Sequence, residues 1–266
     1  MPFPKKILMV DPSYYNVEYS INPFMQMNEK VDHEKAYAQW EMIKNAYLAQ
    51  GLEVEILTGV EGLPDMVFCA NPFFSHPNGI LISQMRFEQR AKESEFFANY
   101  FKEKVIFQAK ESFEGNGDLL WNYETMELFG GFGFRTKETI YPLIEKALGQ
   151  SIVQLELISE DYYHLDTCLC ILNAHTAAIV ESAFSAESLA ILKSKFSDII
   201  YLDEREAKTS LAGNALSIDG RCVFVEKNAL EFQKQLSARD FKVCVFDTSE
   251  YLKSGGSIFC MKNLIF

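Results

Sequence analysis

The sequence predicts an α/β fold in which one ββαβ unit is used five times around a common axis, a five-fold pseudosymmetric α/β-propeller. Three observations carry this: helix-start signals recur at intervals of about 50 residues, each helix is followed by a short β-rich run, and strand-like pairs precede some of the later helices. One such unit cannot bury its own apolar face, so five have to close on each other, with helices outside and strand ends facing a central channel. No linker, charge block or low-complexity stretch marks a boundary, which predicts a single domain over residues 1–266.

Asp32 caps a first helix whose Trp40, Ile43 and Tyr47 share a face and which Gly51 closes. A second begins near Gln84, with Phe97 and Tyr100 three apart. Thr136 caps a third carrying Ile140, Leu143, Ile144 and Leu148 before Gly149, although Pro142 favours a start nearer to itself. Ser185 heads a fourth with Leu189, Leu192 and Phe196, and Asn228 a fifth with Phe232 and Leu236. The β-rich runs after them are residues 54–57, 105–108, 152–157, 199–202 and 243–246, and paired strands fall at 66–69 with 80–83 and at 167–171 with 177–181.

Apolar residues make up 48% and charged residues 23%, ordinary proportions for a chain that buries a core. The 37 acidic residues outnumber the 25 basic ones, for a net charge of -12, which works against docking on nucleic acid or anionic lipid and suits a cationic small molecule. The opening Met1 to Lys6 is too short for a basic leader before the apolar 7–10, and no apolar run approaches the ~20 residues of a membrane span. Six cysteines without a secretory leader predict free thiols in a reducing, cytoplasmic setting.

Polar, glycine-containing phrases gather where strands begin or end, so in a closed array they converge on one axial site. His164 and Asp166 are two apart, which on a strand puts a proton-transfer group beside a carboxylate on one face; a packed histidine near a capping aspartate fits the same spacing. Cys260 follows Gly255 and Gly256 and reads as a nucleophile if a cation lowers its pKa, or as a small buried hydrophobe. Glu114, flanked by Phe113, reads as a carboxylate whose pKa the apolar flank raises, or as part of a solvated turn. Asp118 reads as structural, bonding its own turn. Cys168 and Cys170 would share the strand face of His164 and Asp166, but no second Cys/His pair at zinc spacing accompanies them, and no metal site is expected. Gly130-Gly131-Phe132-Gly133 lacks the residues that make a phosphate loop.

In their order, Leu63-Pro64-Asp65-Met66-Val67-Phe68, Glu114-Gly115 with Gly117-Asp118, His164-Leu165-Asp166-Thr167 and the terminal Gly-Gly-Ser-x-x-Cys resemble the guanidine-modifying enzymes of the pentein superfamily. That group includes arginine deiminases, dimethylarginine dimethylaminohydrolases and amidinotransferases, and its fold is a five-fold ββαβ propeller. The resemblance implies Cys260 as nucleophile, His164 as proton shuttle and Glu114 as the third catalytic residue. It also implies substrate binding by Asp166, Asp65, Asn71 and Asn22, with Arg135 and Arg90 on the substrate carboxylate.

Methylarginine hydrolases tend to carry Lys where this chain has Asp166, and deiminases Asp where it has Asn71. Asn22 and Asn71 together look most like the catalytic domain of bacterial arginine dihydrolases, which often carry a further C-terminal domain. The function implied is hydrolysis of the guanidino C–N bonds of free L-arginine through a cysteine-bound thiouronium, giving ornithine, carbon dioxide and two ammonia molecules. Dimethylarginine dimethylaminohydrolase and arginine deiminase are the alternatives, followed by an amidinotransferase or a non-catalytic binding module. No cofactor, metal, nucleic acid or membrane is implied, and self-association into a homo-oligomer stays open.

Overall fold

The computed structural model describes residues 5–25 and 29–266; Met1 to Pro4, part of the stretch read above for a leader, lie outside the described residues. The first strand, β1 (Lys6–Val10), leads into α1 (His33–Ala49) and β2 (Glu53–Leu57). A hairpin of β3 (Phe73–His76) and β4 (Gly79–Ile82) is followed by α2 (Glu88–Tyr100) and β5 (Val105–Gln108). The single turn α3 (Gly115–Asp118) precedes the hairpin β6 (Leu119–Asn122) and β7 (Glu127–Phe132), then α4 (Tyr141–Leu148) and β8 (Ile152–Glu156). The order repeats with β9 (Leu169–Ile171), β10 (Thr176–Ile179), α5 (Ala186–Lys195) and β11 (Asp198–Tyr201). After α6 (Glu204–Ser210) come β12 (Leu216–Ser217), β13 (Cys222–Glu226), α7 (Leu230–Ser237) and β14 (Lys242–Phe246), and the chain ends on α8 (Ser249–Leu252) and β15 (Asn263–Ile265).

These strands form five three-stranded sheets. In each, the middle strand runs antiparallel to one neighbour and, across a helix, parallel to the other, so the ββαβ unit recurs five times. The remaining unit is built from both ends of the chain: β15 pairs antiparallel with β1, setting Leu8 opposite Asn263 and Ile7 opposite Leu264.

The helices pack on the sheets of their own and neighbouring units: Tyr47 of α1, for example, stacks on Phe224 of β13. Asp32 accepts a hydrogen bond from the Lys35 amide and starts α1, whose Trp40, Ile43 and Tyr47 are buried at helical spacing. Burial of each such side chain stabilises the fold by about 2 kcal/mol. Ser185 caps α5 in the same way.

Four expected boundaries differ. Residues 66–69 are not a strand: Pro64–Val67 is a 3-10 turn, and the hairpin partner of β4 lies later, at β3. Gln84 pairs with Phe113 instead of opening a helix, which begins at Glu88. Thr136 caps nothing, because its hydroxyl accepts from the Glu114 amide and donates to Asp118; α4 starts beside Pro142. Asn228 does not head α7; the free amides of Glu231 and Phe232 go to the Glu206 carboxylate of α6, a short helix capped by Asp203 that the sequence reading did not include.

A short segment leads into the first strand of every unit: the 3-10 turn Pro64–Val67 with 68–72, α3, the 3-10 turns Leu165–Thr167 and Ala212–Asn214, and residues 253–262. Hydrogen bonds join these five segments in a closed cycle. Asn116 N donates to Ala70 O, Leu165 N to Asp118 Oδ1, Asn214 Nδ2 to Asp166 O, Phe259 N to Asn214 O and Ala70 N to Cys260 O. The chemistry-bearing residues sit on this cycle.

Candidate active site

The 3-10 turn after His164 fixes two of the site groups. His164 is extended and Asp166 lies inside the turn, so the two do not share a strand face as their spacing suggested, and only Cys170 reaches β9. What brings His164 to the site is the neighbouring unit: its Nε2 is 2.6 Å from Glu114 Oε2.

Glu114 has both oxygens engaged. Oε2 also accepts from Arg135 Nη1 at 2.9 Å, and Oε1 accepts from the Arg86 amide. Burial pushes its carboxyl up, but Arg135 and the bond to His164 outweigh it and hold Glu114 well below the usual carboxylate range, the opposite of the expected rise. Arg135 is stacked between the rings of Phe87 and Tyr163 and donates to Ile21 O as well. Asp118 is structural, although it does not bond its own turn: it accepts from Thr136 and from the Leu165 amide of the next unit.

Cys260 is buried, and its thiol donates to Asp166 Oδ2 at 3.2 Å. Asn214 brackets the cysteine, donating Nδ2 to Sγ at 3.2 Å and accepting from the Cys260 amide. Burial first, and then Asp166, push the thiol well above its ordinary range, so a cation brought over the sulfur is what would favour the thiolate. Burial likewise pushes Asp166 up to about 7, against the thiol bond and the Lys262 cation.

A pocket of about 290 Å³ opens onto Cys260, His164, Asn71, Asp65 and Arg135. Three buried polar atoms of the set have no hydrogen-bond partner among the described residues: Asp65 Oδ1, Asp166 Oδ1 and Asn71 Nδ2. Two acceptors and one donor left open in a buried site are a demand for a ligand, since each costs about 1–3 kcal/mol unsatisfied. Tyr19 donates to the other oxygen of Asp65, and burial raises that carboxyl.

Three site residues are also tied to the protein around them. Arg90 lines the pocket with most of its donors engaged: it forms a two-bond pair with Glu93 and donates to Asn71 Oδ1 and to the Asp65 and Phe68 carbonyls. A guanidinium can only donate, so Arg90 fixes which end of the Asn71 amide is the carbonyl and leaves Nδ2 as the end without a partner among the described residues. Asn22 also lines the pocket and is anchored on backbone, accepting from the Phe24 and Met25 amides and donating to Ser254 O. Glycine at 256 is required by contact, since a Cβ there would meet the Phe68 ring at 2.2 Å.

Sequence reading missed Asn214 and Lys262. The repeat carried the signal for Asn214, which lies in the lead-in segment of the fifth unit as Asp166 does in the fourth. Lys262 stands two residues after Cys260 with no motif around it. Among the described residues no cluster of three or more His, Cys, Asp or Glu could hold a metal ion, and no helix is long and apolar enough to cross a membrane.

Residues 11–266 match the family model for N,N dimethylarginine dimethylhydrolase, eukaryotic. The chain is 36% identical over 262 residues to the N(G),N(G)-dimethylarginine dimethylaminohydrolase of Mycobacterium tuberculosis, covering 97% of this chain and 85% of that one. It is 31% identical to the bifunctional arginine dihydrolase/ornithine cyclodeaminase ArgZ of Synechocystis, covering 96% of this chain but 37% of that longer protein. The solved N-terminal domain of ArgZ, bound to product, superposes with a TM-score of 0.92 at 30% identity, over 98% of this chain and 97% of that one. A dimethylarginine dimethylaminohydrolase adduct with S-methyl-L-thiocitrulline shares the fold, with a TM-score of 0.81. The five ββαβ units, the Cys260–Asp166 and His164–Glu114 pairs and these matches agree: the chain belongs to the dimethylarginine dimethylaminohydrolase family of hydrolases, which act on guanidino C–N bonds.

Proposed function

We propose that this chain is an arginine dihydrolase, converting free L-arginine and two waters into ornithine, carbon dioxide and two ammonia molecules. The observation that carries the reading is the open N–H of Asn71 in the same pocket as the open oxygen of Asp65 and the Cys260 nucleophile, with a further open oxygen on Asp166, which the Cys260 thiol touches. Two carboxylates suit a planar guanidinium with its fork of N–H donors. An N–H donor suits the oxygen of a ureido group, so a citrulline-like intermediate can be retained for a second round.

In each round the Cys260 sulfur attacks the guanidino or ureido carbon. His164 gives its proton to the departing amine, leaving the carbon bound to sulfur. It then takes a proton from water as the water attacks, and the C–S bond breaks. The first round releases ammonia and leaves a ureido group. The second releases one amine and a carbamic acid, which falls apart to carbon dioxide and the remaining amine, so that ornithine and two ammonia molecules result in all. Glu114 orients His164, and Asp65 and Asp166 hold the guanidinium over the sulfur. Arg135, with two of its five N–H groups on Glu114 and Ile21, is assigned to the substrate carboxylate.

We infer that the five units are the blades of a closed ring forming one catalytic domain, a reading supported by the hydrogen-bonded cycle of lead-in segments. Six free cysteines suit a reducing, cytoplasmic setting. A second reading, hydrolysis of dimethylarginine to citrulline and dimethylamine, is favoured by the matching family model. Incubation with L-arginine and with asymmetric dimethylarginine, followed by mass identification of the products, decides between them. Ornithine from arginine supports the first, citrulline as the sole product from arginine makes the chain a deiminase, and turnover of the methylated compound alone establishes the second.

A further inference from the structure

Lys262 is fully buried, two residues beyond the nucleophile. Its ammonium donates to Asn116 Oδ1 at 3.2 Å and lies 3.3 Å from the centroid of the Phe259 ring. No carboxylate stands within 4.0 Å of it among the described residues, so it is a buried cation without a contact ion pair. Asp166 is its complement: a buried carboxylate with one oxygen on a neutral thiol and the other open. Cys260 links the two, its thiol on Asp166 Oδ2 at 3.2 Å and Lys262 two residues further along the chain. Isolated buried charges are costly, and two of opposite sign offset each other through the low-dielectric interior even without touching.

We propose that Lys262 is the counter-charge that keeps Asp166 ionised beside the nucleophile, a positioning residue that acts on substrate through Asp166. The proposal rests on the assignment of Asp166 to the guanidinium. The titratable groups whose charge acts on Lys262 are Asp166 from the turn after His164, Cys69 from the loop after the first 3-10 turn, Cys170 from β9 and Cys260 from its own segment. Only Asp166 among them is a carboxylate. Burial lowers the Lys262 ammonium to about 8, against the pull of Asp166, so the cation itself titrates close to the working range. The arrangement makes binding of a guanidinium depend on a charge that never meets the substrate.

The experiment is an NMR titration of 13Cγ-labelled aspartate in the substrate-free protein, with the Asp166 signal identified by its loss in Asp166→Asn. In the wild type the Asp166 signal should show a second step near pH 8, as Lys262 loses its proton. In Lys262→Met, and in Lys262→Gln, which retains an amide for Asn116, the Asp166 midpoint should rise by about one pH unit. At pH 7 that shift leaves about fivefold less ionised carboxylate, and kcat/KM for arginine should fall by the same factor and recover by pH 9. An unchanged Asp166 midpoint in a folded variant overturns the proposal, as does a wild-type signal without the second step, which needs no variant. Because the titration uses no substrate, it stands or falls separately from the choice of arginine.

Discussion

His164 Nε2 and Glu114 Oε2 lie 2.6 Å apart, and the same oxygen takes Arg135 Nη1 at 2.9 Å. One carboxylate oxygen thus ties the imidazole of one unit to the guanidinium of another, while the second oxygen is held by the Arg86 amide. Three of the four or so acceptor sites of this carboxylate are taken within the protein. Its work is to fix the ring of His164 and to select which nitrogen carries the proton, leaving the other free for transfer.

Glu114→Gln should therefore lower kcat for arginine by about 10²-fold or more while leaving KM within a few-fold, because it removes the anion that orients the general acid and base. Steady-state kinetics check this. An unchanged kcat would show that His164 needs no fixed tautomer.

Cys260→Ser should abolish turnover and preserve arginine binding by calorimetry, since the hydroxyl nearly fills the space of the thiol but is a poor nucleophile without a dedicated base. The structure adds that serine at 260 can still donate to Asp166 Oδ2 and accept from Asn214, so folding should be retained. Residual turnover near the wild-type level would make the thiol a bystander.

The repeat was legible because helix caps such as Asp32 and Ser185 act locally and apolar spacing reports one face of a helix whatever it packs against. The turns that carry the site were not. Met66 to Cys69 and Thr167 to Ile171 contain the apolar residues a strand would have, yet Pro64 and the cycle of lead-in hydrogen bonds coil the starts of both into 3-10 turns. That coiling is a tertiary effect, invisible to periodicity. The same limit applies to Arg90, whose five-donor fork suits a substrate carboxylate or Glu93 equally well until the fold brings Asn71 within 2.9 Å of it. Glu114 followed the same pattern: its apolar flank was real, but Arg135 came from 21 residues away and reversed the shift.

Asp166 makes stability depend on pH. Its carboxyl stands at about 7 in the folded chain against an ordinary 3.8, so its contribution to stability is fully present below about pH 4 and is lost as pH rises through 7. Asp166→Asn, which cannot ionise, should be no more stable than wild type at pH 4 and more stable by at least about 1 kcal/mol at pH 8. Thermal melts at the two pH values read this, with weaker arginine binding as the accompanying loss. A variant less stable at pH 8 would mean that Asp166 is paired in the folded protein more strongly than its neighbours indicate.

The exchange of Asn71 for Asp reaches the chemistry of the second hydrolysis. Arg90 Nη1 holds the carbonyl of Asn71 at 2.9 Å, which turns the amide N–H toward the pocket. An aspartate there would keep the bond to Arg90 and present an oxygen in place of that N–H. The first round would still run, since an oxygen pairs well with a guanidinium. After it, the ureido oxygen of the bound intermediate would face a carboxylate instead of a donor, and two acceptors repel. The intermediate would leave before the second attack. Asn71→Asp should therefore shift the product from ornithine toward citrulline by at least about tenfold, a change of about 1.4 kcal/mol in partition, with arginine consumption falling far less. Product ratios by mass over a single time course check it. An unchanged ornithine yield in Asn71→Asp would show that the ureido oxygen finds its donor elsewhere in the site.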